Sequence, residues 1–112
     1  MTTYALIVFV IAALGGLVMA MKILKGQLAP WALSLLHAAL GATGLVLLLF
    51  AVVNGPANSR VAAALGILVV AALGGFYLAS IHARKKVAPT AVVLVHAAVA
   101  AVGVLTLITT LL

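Results

Sequence analysis

Two histidines, His37 and His96, are the residues of this 112-residue chain best placed to do chemistry. Each lies seven residues after a proline, Pro30 or Pro89, inside a long apolar stretch. If the prolines open helices, a rise of about 1.5 Å per residue carries both imidazoles roughly 10 Å along, to a common level. The midplane of a bilayer core is about 15 Å deep, so both would sit in hydrocarbon, where an ionisable side chain is costly and a functional candidate. Two ring nitrogens, unaided by thiolate or carboxylate, make a poor zinc or magnesium site. They suit a metal that brings its other ligands with it, and haem iron with two axial histidines is that case.

Composition closes off most other chemistry. There is no cysteine, which excludes thiol catalysis, thiolate metal sites and disulfides. There is no Asp or Glu either, so carboxylate general acids, carboxylate-driven proton coupling and hard-cation cages lack their groups.

The elements that must position the histidines follow from charge and apolarity. The chain is 69% hydrophobic and 5% charged, whereas soluble domains run near half and a quarter. Met1 to Met21, Gly26 to Ser59, Val61 to Ile81 and Val87 to Leu112 carry no Lys or Arg. The second run includes a turn signal, Asn54-Gly55-Pro56, so it holds one span and a loop. The strand alternation of a membrane barrel is missing, so the spans are predicted as helices, at about residues 3–23, 30–53, 60–82 and 89–111. Pro30 and Pro89 are expected at the first helical position, where no amide donor is needed. The fold class is all-α: an integral membrane four-helix bundle in one transmembrane domain, residues 1–112.

Lys22 and Lys25 fall in loop 1–2, Arg84, Lys85 and Lys86 in loop 3–4, and Arg60 alone in loop 2–3. The positive-inside rule places loops 1–2 and 3–4 in the cytoplasm and both termini outside, in a bacterial inner membrane. The net charge of +6 therefore reads as topology and lipid contact, not as nucleic-acid binding.

The chain also repeats itself. Shifted by 59, Ala12-Ala13-Leu14-Gly15-Gly16 falls on Ala71-Ala72-Leu73-Gly74-Gly75, Ala29-Pro30 on Ala88-Pro89, His37-Ala38-Ala39 on His96-Ala97-Ala98, and Gly44 on Gly103. Over positions 12–48, 16 of 37 residues are identical to their counterparts. Two parallel-oriented helix hairpins are expected, about residues 1–53 and 60–112, related by an axis along the membrane normal.

Residues four and seven after a helical histidine share its face. For His37 these are Gly41 and Gly44; for His96 they are Ala100 and Gly103. Gly15, Gly16, Gly74 and Gly75 lie at a similar depth in helices 1 and 3. Such a layer would admit a flat macrocycle, with propionates neutralised by Lys25, Arg84 and the other basic residues at that edge. Small residues equally serve close helix packing, and a membrane histidine equally bonds a neighbouring helix. His82, whose counterpart is Ile23, reads as a polar residue at the membrane edge, or as a donor to a propionate or quinone carbonyl. Trp31 and Tyr4 suit an interfacial belt, and Tyr77 is expected to bond inside the bundle.

On His37, His96, Gly44 and Gly103, the chain resembles the four-helix membrane b-type cytochromes in architecture. The resemblance implies one bis-histidine haem b between helices 2 and 4, and electron transfer with a quinol or a redox protein. Length and span number also resemble the small multidrug resistance transporters, but those rely on a glutamate in helix 1, and this chain has none. A small transporter or channel using the buried histidines, and a membrane anchor or accessory subunit, are the other functional expectations. Lipid is the expected surrounding partner, and the Ala- and Gly-rich helices suit a homodimer.

Overall fold

With no water in a bilayer core, a spanning backbone must bond to itself, and an uninterrupted apolar run does so as a helix. The computed structural model, which describes Met1–Leu112, has four helices and no strand: α1 (Thr2–Leu24), α2 (Trp31–Asn54), α3 (Ser59–Ala83) and α4 (Thr90–Thr109). They contain 23, 24, 25 and 20 residues, with mean hydropathy of 2.3 to 2.5 over their spanning windows. At about 1.5 Å per residue each crosses a hydrocarbon core of about 30 Å. Only 15 of 112 residues are buried, and large apolar side chains such as Leu14, Leu73, Phe76 and Val95 face outward. Water would not tolerate that surface; lipid matches it, and the chain is an integral membrane protein.

Helix ends follow local chemistry. Pro30 and Pro89 sit one residue earlier than expected, at the N-cap, with ψ of 134° and 135°. Their extended ψ keeps them outside the helix, while their carbonyls accept the first helical bonds, from Leu33 and Ser34 and from Val92 and Val93. Asn58 caps α3, its Oδ1 accepting from the amides of Arg60 at 2.9 Å and Val61 at 3.3 Å. Arg60 Nη1 donates to the Thr109 carbonyl at 3.3 Å, setting a cation on the negative end of α4.

The helices pack in a ring, α1 against α2 and α4, and α3 against α4 and α2, which leaves α2 and α4 diagonal. The closest association lies within the pairs α1–α2 and α3–α4. The core comes in two pieces. Ala5, Phe9, Leu48, Val61, Ala64, Leu68 and Leu107 fill the half nearer the termini. Ile81, Ala88 and Val93 form a smaller cluster near loops 1–2 and 3–4. The histidine level lies between them. Residues 59 apart are buried alike: Ala5 and Ala64 at 0%, Leu48 and Leu107 at 0%, Ala12 and Ala71 at 5%.

Gly44 and Gly103 do not clear space beside the histidines. A Cβ at Gly44 would stand 2.6 Å from the Phe9 ring, and one at Gly103 2.6 Å from Leu68 Cγ. These glycines belong to the larger core piece, where each receives the side chain of a neighbouring helix. Tyr77 also departs from expectation. It is 54% exposed and faces outward beside Phe76 rather than into the bundle.

Candidate functional site

His37 and His96 are each the seventh residue of their helix, α2 or α4, so the same start signal places both at one level. His37 Nδ1 lies 2.8 Å from the Ala12 carbonyl of α1, and His96 Nδ1 lies 2.8 Å from the Ala71 carbonyl of α3. A carbonyl only accepts, so each bond puts the proton on Nδ1 and leaves the Nε2 lone pair of a neutral ring uncommitted. Neither Nε2 makes a hydrogen bond within the chain, and no fully buried side-chain nitrogen or oxygen lacks a partner, so both Nε2 atoms remain reachable.

Each imidazole is seated on the backbone of the helix that anchors it. A Cβ at Gly16 would come within 2.9 Å of His37 Cε1, and one at Gly75 within 3.1 Å of His96 Cε1. Real Cβ contacts are rarely that short, so both glycines make room for an imidazole edge. Gly74 adds to the His96 seat, its Cβ position 3.6 Å from Nδ1, while Gly15 turns toward Leu33 at 3.8 Å. A Cβ at Gly41 meets nothing within 4 Å, and its counterpart Ala100 is half-buried. The structure thus brings His37, His96, Gly16, Gly74 and Gly75 together, sets Gly44 and Gly103 in the adjoining core, and leaves Gly41 free of close contact.

The two rings meet across the diagonal with centroids 6.3 Å apart and planes at 80°. Two metal–nitrogen bonds of about 2 Å, with about 1.1 Å from each nitrogen to its ring centre, would put opposed centroids about 6.2 Å apart. The separation also lies in the range of an edge-to-face aromatic pair. No group of three or more His, Cys, Asp or Glu side chains is gathered anywhere, so any metal here brings the rest of its ligands.

The remaining predicted residues lie at the edge. Lys25 and Arg84 are exposed, and Arg84 Nε donates to the Ser80 carbonyl at 3.2 Å. His82 Nε2 bonds the Ala29 carbonyl at 2.9 Å, and its ring stands edge-on to Trp31, with centroids 4.9 Å apart at 89°. It therefore ties the end of α3 to the loop and first turn of the other hairpin. The Ala12 and Ala71 carbonyls were not anticipated. The available signal was the glycine four residues later in the same helix, at the depth of each histidine.

No protein-family model matches the chain, and neither a curated protein nor a solved structure does.

Proposed function

We propose that the chain is a minimal membrane b-type cytochrome, holding one haem b with His37 and His96 as axial ligands. One observation carries this reading. Both rings spend their Nδ1–H on a backbone carbonyl, leaving two unpartnered Nε2 atoms on rings spaced as a shared metal would space them. Anchoring of the distal ring nitrogen is the usual support of a metal-bound histidine. The donor set would fit haem, which brings four nitrogens of its own and would need only His37 and His96 from the protein. The ring would enter at the seam between hairpins, where the helices pack less closely than within each pair.

Bound haem would supply a one-electron couple, and the protein would supply ligation, burial and charge balance. Lys25 and Arg84, with Lys22, Lys85 and Lys86, stand at the edge nearest the histidines and would neutralise the propionates. His82, already bonded to Ala29, would act as a fixed edge rather than a ligand. Electrons would pass to or from a quinol or a redox protein. The architecture is read as two parallel hairpin repeats in a bacterial inner membrane, with termini outside and loops 1–2 and 3–4 cytoplasmic. The outward Ala and Gly positions leave room for a homodimer.

A reduced-minus-oxidised absorption spectrum of the purified chain tests the reading. Sharp α and Soret bands are expected, and their absence from protein expressed with ample haem ends it. The competing reading is a small transporter or channel using the same histidines, and the edge-on pairing of the rings favours it, since that contact needs no metal. That protein would be colourless, with flux that is lost when either histidine is replaced by alanine.

A further inference from the structure

Four of the six basic residues, Lys25, Arg84, Lys85 and Lys86, lie in the loops after α1 and α3. Lys22 stands in the last turn of α1 rather than in the loop as expected. The two helices end in the same turn. After α1, the Gln27 amide donates to the Lys22 carbonyl and the Gly26 amide to the Ile23 carbonyl, both at 2.9 Å. After α3, the Lys86 amide donates to the Ile81 carbonyl at 3.2 Å and the Lys85 amide to the His82 carbonyl at 2.9 Å. This turn requires left-handed backbone just past the cap, a conformation that glycine adopts freely and other residues adopt at a steric cost. Gly26 has φ of 72°, and its counterpart 59 residues on, Lys85, has φ of 58°. Lys85 is the one non-glycine residue of the chain with positive φ.

Helix electrostatics do not account for a lysine at that position. Arg84 caps α3 and His82 stands in its last turn, and the dipole effect fades beyond that turn. What Lys85 adds is a third consecutive cation, Arg84-Lys85-Lys86, where the equivalent turn reads Lys25-Gly26-Gln27. All three side chains are exposed. Since the chain has no Asp or Glu, none of them has a carboxylate side chain to pair with, and their counter-charge must come from outside. They stand at the end of a helix long and apolar enough to cross a membrane, where an anionic headgroup would be the nearest source of that charge. A strained residue persists where its surroundings make use of it.

We propose that Arg84, Lys85 and Lys86 form a binding site for the phosphate of an anionic phospholipid headgroup, for which Lys85 is held in the left-handed conformation. These are the cations that the proposed function would also offer to haem propionates, so the two anions compete at this edge, and phosphatidylglycerol should bind at least as tightly to His37→Ala, the variant that would hold no haem. The full chain in phosphatidylcholine bilayers, with and without phosphatidylglycerol, provides the test, with retained phosphatidylglycerol measured by native mass spectrometry. Lys85→Asn keeps a residue tolerant of left-handed backbone and removes the charge. It is expected to weaken phosphatidylglycerol binding about fivefold, the factor equivalent to ~1 kcal/mol per cation at an anionic surface. Lys85→Gly should lose the same preference while melting higher in phosphatidylcholine, and Lys25→Asn should lose less than either. Undiminished binding in both Lys85 variants, or an equal loss in Lys25→Asn, overturns the site. Displacement of the lipid by millimolar inorganic phosphate also overturns it, because the ligand would then be free phosphate.

Discussion

His37 of α2 donates its Nδ1 proton to the Ala12 carbonyl of α1 at 2.8 Å, and His96 makes the same bond to Ala71 of α3 at the same length. Each bond lies inside one hairpin, while the ring-to-ring approach at 6.3 Å lies between hairpins. Orientation of each imidazole is thus a local matter, and pairing is a matter of how the halves assemble.

Replacing either histidine should act on both levels. His37→Ala and His96→Ala remove the candidate ligand and leave a carbonyl without its second partner, a loss of about 1–3 kcal/mol if no water enters. Both variants are expected to lose the haem bands in the difference spectrum. Retention of full haem content by His96→Ala would show that the rings do not act as a pair.

The glycine seats differ in tightness, and their variants should differ with them. Gly16→Ala places a methyl 2.9 Å from His37 Cε1, whereas Gly75→Ala places one 3.1 Å from His96 Cε1. Overpacking of this kind costs about 1–3 kcal/mol, and the larger loss of haem content and thermal stability is expected at Gly16. Gly41→Ala meets no neighbour and serves as control, expected to gain up to about 1 kcal/mol from helix propensity.

One level away, Gly44→Ala drives a methyl into the Phe9 ring at 2.6 Å. A loss of about 1–3 kcal/mol is expected, recovered in part by Phe9→Leu, the residue type found at the counterpart position Leu68. Unfolding of the single and double variants in mixed micelles measures the coupling. Strict additivity would show that Phe9 and Gly44 do not share the strain.

His82→Ala should separate edge from centre. It removes the 2.9 Å bond to Ala29 and the contact with Trp31, so amides of loop 1–2 are expected to exchange faster with solvent deuterium. The haem bands are expected to persist. Their disappearance would reassign His82 as a ligand.

Asn58→Ala tests a helix start far from the site. Loss of the two amide bonds to Asn58 should cost about 1 kcal/mol, visible in thermal unfolding, with an unchanged spectrum.

The four spans were legible because charge and proline punctuate an otherwise apolar chain, and the helix ends fall within two residues of expectation. The common level of His37 and His96 was legible for the same reason, being counted from Pro30 and Pro89. Which way a side chain faces was harder to read. A helix that is apolar all round carries no periodic stripe to separate inside from outside, so the sequence does not show that Tyr77 faces outward, or that Gly44 and Gly103 receive Phe9 and Leu68 rather than flank the histidines. The anchors at Ala12 and Ala71 were invisible for a different reason: a backbone acceptor has no side-chain signature.

The division of the hydrophobic interior into two unequal pieces has a bearing on biosynthesis. Each imidazole is steered by the backbone of its own helix pair, so the haem of the proposed function would have two prepared half-sites to join rather than one closed chamber to enter. Maturation would then amount to lateral docking of finished halves in the plane of the bilayer, with the end nearer the termini as the latch.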